Sequence, residues 1–198
     1  MEKSLSGNKK FVSSNNLRKG ITMPSPQKAK GSSWERDVAV YLSNLYGENF
    51  IRTPGSGAYI GGSNTHRKEY LDEGQIRTFK GDIVPGKSFS RLNIECKSYK
   101  DFPFNLLYTN ECKILDTWLD QLLAPADVSD INILAMKFNR KGKFVAVEYK
   151  HRVLNYGDNY TYYNNINKAH GPWVIMEFDR FWQLNKQTVK ELSYQSKS

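Results

Sequence analysis

The run "LNIECKSY", residues 92–99, restricts more than any other segment what this chain can fold into. It alternates, so that in an extended strand Leu92, Ile94 and Cys96 point to one face and Asn93, Glu95 and Lys97 to the other. Ahead of it stand "GDIV" and a Pro-Gly turn, which predict a short partner strand over 82–84 and bring Asp82 alongside. A core strand has no packing need for a carboxylate and an ammonium about 6–7 Å apart on one face. Two carboxylates and one ammonium brought together suit hydrolysis of a phosphodiester. Hard oxygen ligands hold Mg²⁺, the metal polarises phosphate and water, and the cation stabilises an attacking hydroxide or the developing charge. A solvated strand face with an ordinary Glu and Lys fits the same short pattern.

The neighbouring segments supply the rest of an α/β architecture. Trp34, Val38, Tyr41, Leu42 and Leu45 recur at helical spacing and Gly47 stops the pattern, which predicts a helix over 33–46. Glu35 falls in line with Val38, Leu42 and Leu45, so its carboxylate leans toward the apolar face, where a merely solvated charge does not belong. "SSWE" also fits a capping box between Ser32 and Glu35, and position alone does not separate cap from fourth site residue. "NFIRT" reads as a strand, "PGSGAYIGGS" as a Gly-rich loop, and residues 64–80 extend that loop with polar and charged residues.

A second helix carries Ile114, Leu115, Trp118, Leu119, Leu122 and Leu123 and ends at Pro125. "INILAMKF" and "KFVAVEY" read as strands joined by a hairpin turn over 139–142, residues 155–171 as loop, "PWVIMEF" as a last strand and "DRFWQLN" as a short helix. This order of helix, strands, helix and strands describes an α/β fold, a mixed sheet with helices packed on it.

Charge gives the first indication of a partner. The 198 residues carry a formal net charge of +9 with a pI near 9.4, which draws a domain of this size to polyanions, of which nucleic acid is the commonest. Excess lysine that only keeps the protein in solution gives the same number. Residues 1–30 hold seven Lys or Arg against the single Glu2, show no sustained period and read as a flexible basic arm ahead of a folded domain over 31–198. Apolar runs fall short of a bilayer span and the Met1 end lacks the order of a secretory signal, so a cytoplasmic protein with no membrane partner is expected. Cys96 and Cys112 form no metal-type spacing, and His66, His151 and His170 are scattered, against a zinc cluster.

Five segments, "KGSSWERDVAVYL", "IRTPGSG", "GDIV", "NIECKS" and "LAMKF", in that order over roughly 30–149, resemble the archaeal-type Holliday junction resolvases, a branch of the PD-(D/E)xK nuclease superfamily. The resemblance implies that Asp82 and Glu95 are Mg²⁺ ligands together with the backbone carbonyl of Cys96, that Glu35 holds the metal directly or through water, and that Lys97 positions or activates the nucleophilic water. Mn²⁺ is expected to substitute. Lys30, Arg36, Arg52, Gly55 and Ser56 are implied to meet DNA near the cut. Arg67 and Lys68, beside His66 in the long loop, either grip DNA or are solvated charge, and Gln121 is either a polar group near the site or a helix-face amide.

Gly81 stands where the superfamily's name has proline, and the segment between Ser56 and Asp82 is longer than in compact resolvases. The implied fold is α/β, a restriction-endonuclease-like mixed central sheet, mostly five-stranded, flanked by helices, and the implied activity is Mg²⁺-dependent resolution of four-way junctions by a homodimer, in DNA recombination and repair, in a prokaryotic cell or a phage-infected host. The apolar stretches 131–138, 144–147 and 173–182 offer material for a dimer interface or for the core. Cleavage of flaps, single strands or duplex, or a DNA-binding module that keeps the fold without cutting, are the alternatives.

Overall fold

A computed structural model of the chain describes residues 26–53, 80–163 and 171–194, with side chains from residue 31 onward. Three helices, seven strands and a short 3₁₀ turn make up these segments. Helix α1 spans Pro26–Tyr46 and is followed by β1 (Ile51–Arg52), β2 (Ile83–Val84) and β3 (Leu92–Tyr99). A 3₁₀ turn at Phe104–Leu107 leads into α2 (Lys113–Leu123), then β4 (Ile131–Phe138), β5 (Gly142–Glu148), β6 (Tyr160–Tyr162), β7 (Trp173–Glu177) and α3 (Phe178–Ser193). None of the described helices is long and apolar enough to cross a membrane.

The central sheet has five strands in the order β3-β4-β5-β7-β6. It is mixed. β3 and β4 run parallel with Glu95 opposite Leu134 and Lys97 opposite Met136, whereas β4–β5, β5–β7 and β6–β7 are antiparallel. The crossover from β3 to β4 carries α2, as a parallel connection requires. β1 and β2 form a separate antiparallel pair in which Arg52 lies opposite Ile83.

Helices cover both faces of the sheet, which explains why β4 reads as a near-continuous apolar run. On one side Leu92, Ile94, Ile133, Ala135, Val145, Val147 and Val174 meet Trp34, Val38 and Leu42 of α1 and Phe181, Trp182 and Val189 of α3. On the other, Leu134, Met136, Phe138 and Ala146 meet Leu115, Trp118, Leu119 and Leu122 of α2. The Trp34 indole N–H donates to the Ala135 carbonyl at 3.0 Å, which pins α1 to the middle of the sheet.

Several expectations need correcting. α1 begins at Pro26 rather than at residue 33, with proline at a first-turn position where its missing N–H costs nothing. Ser32 is therefore well inside the helix, and the capping box with Glu35 does not form. The closing helix runs to Ser193 because Val189 and Leu192 continue the apolar stripe beyond "DRFWQLN". Within 155–171, Tyr160–Tyr162 adds an edge strand: Tyr162 is fully buried, and its hydroxyl donates to Asp116 Oδ1 at 2.7 Å and accepts from the Cys112 N–H at 3.2 Å. The stretches offered for a dimer interface are consumed by the monomer's core, Ile131, Ile133, Val145, Val147, Trp173 and Trp182 all being fully buried.

Asp116 is buried, and its second oxygen has no hydrogen-bond partner. Removing the tyrosine hydroxyl strands the first oxygen as well. Tyr162→Phe is therefore expected to lower the unfolding free energy by about 1–3 kcal/mol, measured as a lower urea midpoint with an unchanged slope; an unchanged midpoint would show that this bond does not hold the edge strand.

Candidate active site

Asp82 is held against the edge of β3 by two contacts. Its backbone N–H donates to the Ile94 carbonyl at 2.9 Å, and its carboxylate Oδ2 accepts from the Cys96 N–H at 2.8 Å. The Thr53 N–H donates to its carbonyl at 2.8 Å, while the Thr53 hydroxyl donates to the Gly81 carbonyl at 2.7 Å. β3 is the outer strand of the five-stranded sheet, and Ile94 and Cys96 turn their peptide groups to its free edge. The N–H and C=O of one strand residue point the same way, so the Cys96 carbonyl lies on the same edge as the Asp82 carboxylate.

Gly81 now has a physical reason. A Cβ built there would stand 2.4 Å from the Ile94 carbonyl oxygen and 2.8 Å from the Asn93 side-chain oxygen. Proline carries a Cβ and would collide just as alanine would. The departure from the superfamily's proline is thus required by how tightly this turn is drawn onto β3, and Thr53, which the sequence reading passed over, supplies part of the draw.

The structure brings the four predicted residues to one place. Glu95 and Lys97 stand on the α2 face of β3 and bond each other, Lys97 Nζ to Glu95 Oε1 at 2.7 Å. Glu35 approaches from α1 in the opposite layer and is bonded by the Arg52 guanidinium. Glu35 and Glu95 are each 8% exposed and Asp82 5%, so three carboxylates are largely removed from water within electrostatic reach of one another. Burial pushes the Glu95 carboxyl up to about 7; the neighbouring Asp82 charge adds to this and the Lys97 ammonium opposes it. Glu35 is raised chiefly by burial, against the bond from Arg52.

Other predicted residues are placed differently. Arg36 is exposed on α1, close enough for its charge to favour the ionised form of Glu35. Arg52 is turned to Glu35 rather than outward. Gln121 is exposed and falls off the buried stripe of α2. Lys30 lies within α1 with its side chain outside the described residues, and Gly55, Ser56, Arg67 and Lys68 lie outside them altogether.

The donor set is of the right kind for Mg²⁺, which takes hard oxygens in carboxylates and carbonyls. Asp82, Glu95 and the Cys96 carbonyl present such oxygens along one edge. Buried acids exceed the cations bonded to them, three carboxylates against Arg52 and Lys97, and a divalent cation would offset the excess. Among the described residues no three acidic, His or Cys side chains stand close enough to enclose an ion, and Arg52 and Lys97 bond the two glutamates. Metal binding at this edge therefore calls for a side-chain rotation that frees carboxylate oxygens.

A mixed sheet with helices on both faces, and an acid-acid-lysine set at the edge of its outer parallel strand, defines the restriction-endonuclease-like nuclease fold. A family model described as "Phage putative PDDEXK endonuclease" matches residues 26–191, and the chain belongs to that family. Neither a curated protein nor a solved structure matches it significantly.

The raised Glu95 carboxyl has a consequence for stability. The unfolded chain holds that carboxyl near its ordinary 4.5. The folded state bears the cost of the buried charge in full above about pH 7, and the cost fades as pH falls toward 4.5, where both states are protonated. Glu95→Gln in EDTA should accordingly raise Tm at pH 8 by about 2–5 °C, with the gain shrinking near pH 4.5. An equal gain at both pH values, or a loss at pH 8, would contradict the assignment.

Proposed function

We propose that the protein is a divalent-metal-dependent DNA endonuclease, with Asp82, Glu95 and the Cys96 carbonyl as Mg²⁺ ligands and Lys97 as the group that orients the attacking water. The observation that carries this reading is the convergence of Asp82, Glu95, Lys97 and Glu35 at the free edge of β3. The bound ion would polarise a phosphate oxygen and lower the pKa of its water, and Mn²⁺ would serve in the same place. Were Glu95 to hold the ion, Lys97 Nζ would be free of that carboxylate and would hold the attacking water in line with phosphorus. The water's oxygen forms the new P–O bond, the bridging P–O bond breaks, and a proton passes to the departing oxygen. Glu35 keeps Arg52 beside the site and supplies a further oxygen donor directly or through water, and Arg36 meets the phosphate backbone.

The resemblance to archaeal-type resolvases supports a finer reading, in which the substrate is a four-way junction and a homodimer nicks opposed strands symmetrically. A two-fold dimer matches the junction's own symmetry. The apolar strands belong to the core, so the interface in this reading uses another surface. Light scattering with strand-by-strand mapping of cuts on a fixed junction tests it. A dimer with paired cuts is expected. A monomer, or cuts on one strand or on flaps, would leave the chemistry and replace the substrate.

Asp82→Asn, Glu95→Gln and Lys97→Ala are each expected to reduce cleavage at least ~100-fold while DNA binding and fold persist. An Asp82 or Glu95 variant that cuts at near the parent rate with Mg²⁺ would show that the site lies elsewhere.

Residues 1–25 contribute five cations, Lys3, Lys9, Lys10, Arg18 and Lys19, and their removal leaves α1 whole. DNA affinity should fall and its salt dependence flatten, each phosphate contact being worth roughly 0.9 in the slope of log affinity against log salt on duplex. Cleavage at saturating DNA should survive. An unchanged slope would mean that these residues do not meet the backbone.

A further inference from the structure

Burial falls off along β3 from Glu95 through Lys97 to Tyr99, which is 45% exposed, so the site opens toward the strand's C-terminal end. Glu95, Lys97 and Tyr99 stand on one face at successive steps of about 6.6 Å. A nucleotide held at Lys97 thus has its neighbour at Tyr99.

The ring of Tyr99 is not a stray surface aromatic. It packs on Trp118 with centroids 4.9 Å apart and planes inclined by 31°. Trp118 lies 5.7 Å and 30° from Phe102, and Phe102 lies 4.8 Å and 24° from Phe138. With Trp118 also 6.4 Å and 23° from Phe138, these buried rings make a compact cluster on the α2 side of the core, and Tyr99 packs on it from the surface. The orientation of an exposed ring is normally free; here the packing on Trp118 restrains it.

We propose that Tyr99 is a stacking platform for the nucleobase next to the scissile phosphate, which makes DNA with an unpaired nucleotide at that position the preferred substrate. The inference rests on the nuclease reading of Glu95 and Lys97 and adds a substrate class to it. A base can lie on a protein ring only after leaving its own stack. A single strand or the arm of a branch offers such a base at once, whereas a closed duplex must first unstack one. Lys100, exposed and next to Tyr99 in the chain, adds positive charge at this end of the strand for the adjoining phosphates.

The test reads binding separately from cleavage. Affinities of the full-length chain in EDTA are measured by fluorescence anisotropy for a fluorescein-labelled single strand and for a duplex of equal length, with Tyr99→Leu and Tyr99→Phe compared to the parent. Leucine keeps apolar cover over Trp118 but has no π face, and thermal melts check that both variants fold.

Tyr99→Leu is expected to weaken single-strand binding about tenfold, the scale of one lost base stack, with duplex binding nearly unchanged and Tyr99→Phe close to the parent on both. Equal losses on both DNA forms, no loss on the single strand, or a loss in the phenylalanine variant would overturn the proposal. A parent protein that binds neither DNA would overturn it together with the nuclease reading. A parent that gives the Tyr99 pattern yet cuts no DNA with Mg²⁺ or Mn²⁺ would sink the nuclease reading and leave the platform standing.

Discussion

The bond from the Cys96 N–H to the Asp82 carboxylate, 2.8 Å long, is the contact on which the candidate site depends. It joins an acid just ahead of the short strand β2 to the backbone of the strand that carries Glu95 and Lys97, and so converts a sequence separation of fourteen residues into a fixed spatial relation. Everything around it serves the close approach: the Asp82 N–H bonded to Ile94, the missing Cβ at Gly81 and the Thr53 clasp on the Gly81 carbonyl. The sheet needs β3 as an outer strand for the same reason, because an inner strand would spend those peptide groups on a neighbour.

Concentrating three carboxylates at that edge is costly, and the fold offsets the cost in two ways. Arg52 bonds Glu35 and Lys97 bonds Glu95, while the Glu95 carboxyl is shifted toward its neutral form. In the proposed mechanism Lys97 has a second use, holding the water, and Arg52 is kept beside the site by Glu35. Stability and chemistry therefore draw on the same few side chains. Sites that hold unfavourable charge clusters for function are a familiar compromise in proteins.

Much of this arrangement was legible in the sequence, and the reasons are specific. The alternation in "LNIECKSY" gave β3 with its bounds unchanged because one apolar and one polar face cannot be exchanged without flipping every side chain. The 3.6-residue stripe gave α2, whose apolar face is fully used. Glu35 on the apolar side of α1 was a sound signal, since that side is where Arg52 and Asp82 lie. The start of α1 was missed because residues 26–32 are polar and carry no period, so the helix there had no stripe to reveal it. The full length of α3 was missed because its later apolar residues, Val189 and Leu192, are sparse. β6 was invisible in an Asn- and Tyr-rich stretch, where burial of Tyr162 depends on a partner far away in sequence. The pairing of Arg52 with Glu35 and the aromatic cluster behind Tyr99 are long-range contacts with no local signature.

The central claim is that this edge of β3 is a metal centre, and anomalous X-ray diffraction from crystals soaked in Mn²⁺ addresses it directly. The account predicts an anomalous peak bounded by the Asp82 and Glu95 carboxylates and the Cys96 carbonyl, with the Lys97 ammonium turned away from Glu95. A peak bound elsewhere on the protein with this edge empty, or Mn²⁺ absent from a crystal in which Lys97 still bonds Glu95, would contradict it.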